Sequence, residues 1–192
     1  MTFSYIVIGM AVVIVLLILK SRFASFTAQS PNDYPDGPVF NIQTVLNGPM
    51  DCEGVIYGPT GRVASRFVAR FEGSWDGNVG TLREVFDYDS GTRQERQWSL
   101  RLGNDGRIQA TAPDVIGTGE GIQNGSAVRL KYRIKLTEDA GGHELDTVDW
   151  MYLMPNGTII NRSQFRKFGI KVAELVATMR PSRGDAGMTP GE

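Results

Sequence analysis

Residues 129–136, RLKYRIKL, alternate without interruption between charged and apolar side chains. Arg129, Lys131, Arg133 and Lys135 fall on one face, and Leu130, Tyr132, Ile134 and Leu136 on the other. A period of two is that of a strand with a core side and a wet side. The same phase puts Phe67, Ala69 and Phe71 inward and Arg66, Val68 and Arg70 outward. TLREVFDYD (81–89), TRQERQWSLRL (92–102) and GRIQATAPD (106–114) are strand-like but more polar. Glycine-containing turns punctuate the chain at GPTG (58–61), WDGN (75–78), DSG (89–91), GNDG (103–106), QNG (123–125), AGGH (140–143) and PNG (155–157). Such turns join antiparallel neighbours. No long helical periodicity appears between residues 40 and 165.

Eight to ten short strands in a small domain must hide their edges, and closing the sheet on itself does so. The expectation is an all-β fold, an up-and-down antiparallel barrel of about 8–10 strands over residues 39–180. A barrel of that size is either filled by side chains or hollow enough for one small ligand, as in the lipocalins. A solid core or a sandwich is the alternative. GIKVAELVATMRP (169–181) suits a helix by composition and the closing strand by its Ile170, Val172 alternation; strand is the reading adopted. Residues 181–192 read as a disordered tail.

Upstream, Phe3 to Leu19 is almost purely apolar, and no charged residue precedes Lys20. At ~1.5 Å per helical residue the run spans most of a hydrocarbon core of ~30 Å. The basic residues follow the run instead of preceding it, which favours an uncleaved anchor (1–22) over a secretory signal. Lys20 and Arg22 favour the cytoplasmic side of the membrane for the soluble domain. Residues 23–38, with Pro31, Pro35 and Pro38, read as a linker or as a stretch laid over the domain.

Twenty Lys and Arg against 21 Asp and Glu leave a net charge of −1, which excludes a general attraction to nucleic acid. One cysteine, Cys52, cannot form an intrachain disulfide, and it reads as a small buried hydrophobe. One histidine, His143, sits in a glycine turn. Ser-His-Asp catalysis and His-rich metal sites therefore have little support, and neither metal nor cofactor is expected.

The segment DWMYLMPNGTIINRSQFRKFG (149–169) forms a hairpin around Pro155-Asn156-Gly157. A type I turn with Gly157 in the left-handed bulge position pairs Met154 with Thr158, Tyr152 with Ile160 and Trp150 with Arg162, which would lay Arg162 over the indole. A two-residue Asn156-Gly157 loop would slip every pair and bring Asp149 and Arg162 to one face as a buried ion pair. Either way Arg162 needs a carboxylate, an aromatic face or a ligand head group. The candidate ligand-binding residues are Arg162, Trp150, Tyr152, Asp149, Asn161, Lys167, Trp98, Phe67 and Phe71. In this reading Arg162, with Lys167, meets an anionic lipid or fatty-acid head at the barrel mouth. The bland reading is that Asp146, Asp149, Arg162 and Lys167 lock the closing strands together. No catalytic residue is assigned.

The runs GVIYGPTGRVASRFV, GSWDG, TLREVFDYDSG, RQWSL, ATAPDVIGTGEG, DWMYLMPNGTIINRS and KFGIKVAEL together resemble a bacterial family, domain of unknown function 3833, over about residues 38–180. The matching positions are Trp75, Asp76, Gly77, Asp114, Val115, Gly117, Asp149, Trp150, Asn161, Arg162, Lys167, Phe168 and Gly169. The resemblance implies envelope proteins, many lipid-anchored and some encoded beside fatty-acid-modifying enzymes, with no established activity. This chain departs from the lipid-anchored members in lacking their cysteine, and its aliphatic N-terminus would supply attachment instead. The expectation is a membrane-anchored, lipocalin-like protein that binds or presents a lipid, fatty-acyl or other apolar molecule, with the bilayer and lipid-modifying enzymes as partners. The alternatives are an enzyme on a lipid or acyl substrate, using Asp149 or Asp114 with Arg162, and a structural protein with a filled barrel.

Overall fold

The computed structural model describes residues 2–182, so the expected tail lies, from residue 183 on, outside the described residues. Ten strands follow one another: β1 (Gly48–Tyr57), β2 (Val63–Asp76), β3 (Val79–Tyr88), β4 (Arg93–Leu102), β5 (Arg107–Thr111), β6 (Gly119–Asn124), β7 (Ala127–Lys135), β8 (Glu144–Leu153), β9 (Ile159–Lys167) and β10 (Ile170–Pro181). Each pairs antiparallel with its neighbours in sequence. β1 also pairs with β10, Cys52 opposite Met179, which closes the barrel and leaves no sheet edge. The up-and-down topology is the expected one, and the segment that suited helix or strand is the closing strand β10.

Alternation sets the wall. Phe67, Ala69 and Phe71 of β2 are buried, and Leu130 and Ile134 of β7 are too, while Arg70 and Lys131 face solvent. The hairpin adopts the type I register: Trp150 lies opposite Arg162 and Tyr152 opposite Ile160, and the Met154 N–H donates to the Thr158 carbonyl at 2.8 Å. Gly157, at φ +81°, supplies the left-handed bulge residue that this turn requires.

Successive connections lie at opposite ends. Residues 77–78, 103–106, 125–126 and 154–158 gather at one end, and residues 58–62, 89–92, 112–118, 136–143 and 168–169 at the other. The first end is plugged. Residues 39–47, including the one-turn helix α2 (Ile42–Val45), carry Phe40, Ile42 and Leu46 into the core with almost no exposure. The plug is pinned by the Phe40 N–H donating to the Gly125 carbonyl at 2.8 Å, the Ile42 N–H to Gln123 Oε1 at 3.0 Å and Trp75 Nε1 to the Leu46 carbonyl at 2.9 Å. Gly73 makes this approach feasible, because a Cβ there would sit 2.1 Å from the Leu46 carbonyl oxygen.

Residues 24–38 lie on the outer wall. Phe26 lies under the Arg162 guanidinium, 4.9 Å from ring to Cζ. Gln29 accepts hydrogen bonds from Tyr34 and Tyr152, and Tyr34 packs edge-on against Trp150 and Tyr152 at 5.7 and 5.2 Å. The Ser126 N–H donates to the Tyr34 carbonyl. The strap therefore climbs from the level of Arg162 toward the plugged end. Ahead of it, helix α1 (Thr2–Phe23) contains one stretch, Tyr5–Phe23, that is long and apolar enough to cross a membrane, and none of it is buried against the rest of the chain.

Candidate functional site: the barrel cavity

The wall encloses a cavity of about 330 Å³, at the small end of the range typical of ligand pockets. Its floor is Ile42 and Leu46 of the plug. Its sides carry Phe67, Phe71, Leu82, Phe86, Leu130 and Met151, and toward the open end lie Tyr88, Leu136, Leu145, Phe165 and Leu175. An apolar sleeve of this kind gains from any apolar body that fills it.

A small polar group interrupts the sleeve. Glu84 of β3 faces Arg96 of β4 across the ladder, and their nearest charged atoms are 4.0 Å apart. Arg96 Nε donates to Asp114 Oδ1 at 3.0 Å, and the guanidinium lies 4.1 Å over the Trp98 ring. Asp149, from β8, accepts from Asn161 Nδ2 at 2.5 Å and from Ser163 Oγ at 2.7 Å. Three carboxyl groups thus share the interior with one guanidinium. Burial pushes the Glu84 carboxyl up to about 7, opposed by Arg96 and reinforced by the Asp149 and Asp114 charges. Burial also raises Asp149, against the pull of its Ser163 and Asn161 hydrogen bonds. Glu84 Oε2 and Arg96 Nη2 are buried side-chain atoms without a hydrogen-bond partner, and both residues line the cavity. A buried donor and a buried acceptor left unsatisfied are expensive unless something meets them.

The sign of the Glu84 shift gives a prediction. A carboxyl whose folded pKa of about 7 exceeds its ordinary 4.5 holds its proton more tightly when folded, so stability falls as pH rises from about 4.5 through 7. The full penalty of about 3 kcal/mol is reached above pH 7. Glu84→Gln is therefore expected to stabilise the full chain by about 2 kcal/mol at pH 8.5, with little effect at pH 4. Thermal melts across that range check it: a variant-minus-wild-type difference that does not change with pH means that Glu84 does not titrate there.

The structure brings together only part of the expected site. Asp149, Asn161, Trp98, Phe67 and Phe71 line the cavity. Trp150, Tyr152, Arg162 and Lys167 do not. Trp150 and Tyr152 point outward and are covered by the strap, and a period of two cannot reveal that an outer face is buried. Arg162 does not lie over the indole; that place is taken by Arg129, 5.7 Å from the Trp150 ring, while Arg162 Nε donates to Glu174 Oε1 at 2.5 Å on the outer wall. No Asp149–Arg162 pair forms, since Asp149 faces Ser163 in the observed register. Lys167 sits at the open end with its Nζ 3.0 Å from His143 Nδ1. Arg162 thus stands on the outer wall with Glu174, Lys167 alone of the two lies at the open end, and Asp149 and Asp114 share the interior with Arg96 and not with Arg162. Glu84 and Arg96 were missed, although each is in phase with apolar neighbours: Leu82 and Phe86 flank Glu84, and Trp98 and Leu100 follow Arg96. Cys52 is buried and lines the cavity, and burial, with Glu84 and Glu53 nearby, pushes its thiol up to about 12, which makes it an inert hydrophobe. Among the described residues no group of three or more His, Cys, Asp or Glu side chains is placed to hold a metal ion.

A family model described as a protein of unknown function (DUF3833) matches residues 21–181. Comparison with curated proteins finds no match. Among solved structures, the crystal structure of Rv2717c from M. tuberculosis is similar at 16% identity, with a TM-score of 0.52, over 74% of this chain and 97% of that one. At that identity the likeness is one of fold alone.

Proposed function

The chain belongs to the DUF3833 family, and from that premise we propose that it is a membrane-anchored barrel that holds a small molecule with an apolar body, of the lipid or fatty-acyl class, and presents it at the membrane to lipid-modifying enzymes. One observation carries the reading: an apolar cavity, closed at one end by residues 39–47, whose lining includes Glu84 Oε2 and Arg96 Nη2, two buried atoms without hydrogen-bond partners among the described residues. A filled structural barrel has no use for that pair. The anchor is α1, whose exposed apolar surface has no partner among the described residues and matches a bilayer in length. Lys20 and Arg22 at its C-terminal end favour the cytoplasmic face for the barrel.

The polar group selects the ligand's head. With Glu84, Asp114 and Asp149 already facing one Arg96, a ligand carboxylate would add a fourth negative charge where a single cation is shared. A neutral head, a hydroxyl, ester or amide, accepts from Arg96 Nη2 and donates to or accepts from Glu84 without that penalty. The test is native mass spectrometry of the full chain released from nanodiscs loaded with dodecanol or with laurate at pH 8. Retention of the alcohol in preference to the acid is expected; retention of neither removes the cavity as a binding site, and preference for laurate overturns the neutral head.

A further inference from the structure

The β9–β10 turn, Lys167-Phe168-Gly169-Ile170, carries two large apolar side chains that the rest of the protein leaves in the open. Phe168 is 90% exposed and Ile170 69%. Phe168 is also, among the described residues, the one non-glycine residue at positive φ, +52°, a conformation that a bulky L-residue adopts at a strain. Nothing in the barrel's packing accounts for an aromatic ring there. Three cations flank the pair, Arg166, Lys167 and Lys171, the last of them held to Glu174 Oε2 at 2.5 Å. Arg166 braces the turn by donating to the Gly169 carbonyl at 2.9 Å, and Lys167 Nζ stands 5.9 Å from the Phe168 ring. On the neighbouring β7–β8 connection Glu138 is met by Lys135, and Glu144 at the start of β8 by Arg133, each pair at 3.8 Å. An exposed aromatic and an aliphatic residue ringed by basic side chains is the composition that sits at a lipid–water interface.

We propose that this turn is a membrane foot: Phe168 and Ile170 insert among the head groups of an anionic bilayer, with Arg166, Lys167 and Lys171 against lipid phosphates, and so seat the open end of the barrel on the membrane that holds α1. The inference rests on the reading of α1 as an anchor. Reach supports it. From Leu19, where the apolar run ends, Lys20–Ala24 at ~1.5 Å, with the Ala24 N–H still bonded to the Lys20 carbonyl, and the next two residues at ~3.3 Å per residue allow Phe26 to stand up to roughly 14 Å above the hydrocarbon edge. Phe26 contacts the wall at Arg162, and the six residues from Arg162 to Phe168, on a strand tilted by about 40°, descend about 15 Å along the barrel axis. The two lengths agree. The strap's direction agrees as well, since it runs from Phe26 toward the plugged end and α1 therefore enters from the open side. Seated in this way, the mouth lined by Phe165 and Leu175 opens onto lipid, and an apolar ligand enters or leaves without crossing water.

The test uses the full chain in nanodiscs of phosphatidylcholine and phosphatidylglycerol in which part of the phosphatidylcholine is brominated to quench tryptophan. Three variants each add one tryptophan to the native Trp75, Trp98 and Trp150: Phe168→Trp at the foot, Val13→Trp within α1 and Asn156→Trp at the plugged end. The emission added by Phe168→Trp is expected to be blue-shifted and to fall about two-fold with brominated lipid, that of Val13→Trp to fall as well, and that of Asn156→Trp to stay constant. Phosphatidylcholine alone is expected to weaken the quenching at 168. If position 168 behaves like 156 while 13 is quenched, the foot is wrong and the anchor stands. If position 13 is itself unquenched, the anchor reading fails and takes the foot with it.

Discussion

Arg96→Ala is expected to destabilise the full chain by about 3–5 kcal/mol at pH 8, because it strands two carboxylates inside the wall. Arg96 is the cation between Glu84 and Asp114, and its guanidinium also covers Trp98 at 4.1 Å, a contact worth about 1–2 kcal/mol when desolvated. The loss is pH-dependent in a direction the structure fixes. Below pH 7 Glu84 takes up its proton and no longer needs a countercharge, so the deficit shrinks toward the packing and Asp114 contributions. A double-mutant cycle with Glu84→Gln isolates the pair: the coupling is expected to be about 1–2 kcal/mol at pH 8 and near zero at pH 5. Urea melts at the two pH values measure it, and a coupling unchanged between them would mean that Arg96 does not act on the charge of Glu84.

The same arithmetic bears on function. An interior pair that stabilises the fold only by compensating itself gains nothing from facing a cavity; two hydrophobic residues would serve at least as well. Glu84 and Arg96 each keep one atom unsatisfied, a penalty that a correctly headed ligand would relieve under the proposed function. That proposal links binding and stability through one pair of residues.

Much of the architecture was legible because it is written in local rules. Gly turns at regular spacing and the alternation in 129–136 gave the antiparallel wall, while Pro155-Asn156-Gly157 allowed two hairpin registers, of which the structure adopts the one with Trp150 opposite Arg162. The interior charge was harder to read. In 81–89 and 92–102 polar residues occupy both faces, so the alternation that exposes a hydrophobic stripe is diluted, and Glu84 and Arg96 look like surface residues unless their phase with Leu82, Phe86 and Trp98 is followed. Their cross-strand pairing is a non-local fact of register. The strap was least legible of all. Residues 24–38 have a linker's composition, and their burial of Trp150 depends on Tyr34 meeting a wall more than a hundred residues away.

That contact makes Trp150→Ala the complementary experiment to Arg96→Ala, a large loss of stability with the cavity left intact. Trp150 has no exposed surface, yet it faces away from the cavity; Tyr34 packs on its edge, Tyr152 stacks parallel to it at 5.7 Å and Arg129 lies over it. Removing the indole is expected to cost about 3–5 kcal/mol, as for other fully buried aromatic residues. The strap rather than the barrel bears the damage, because its grip on the wall includes the Tyr34 ring, the Gln29 side chain, the Phe26–Arg162 contact and the Ser126 N–H to Tyr34 carbonyl bond, and the first of these loses its platform. Amide exchange should therefore speed up across residues 25–36 before it does so in β3 or β4, and dodecanol retention should survive under conditions where the variant remains folded. Uniform exchange acceleration through the wall, with retention lost, would instead make the strap part of the barrel's folding unit and the outer tryptophan a support of the cavity itself.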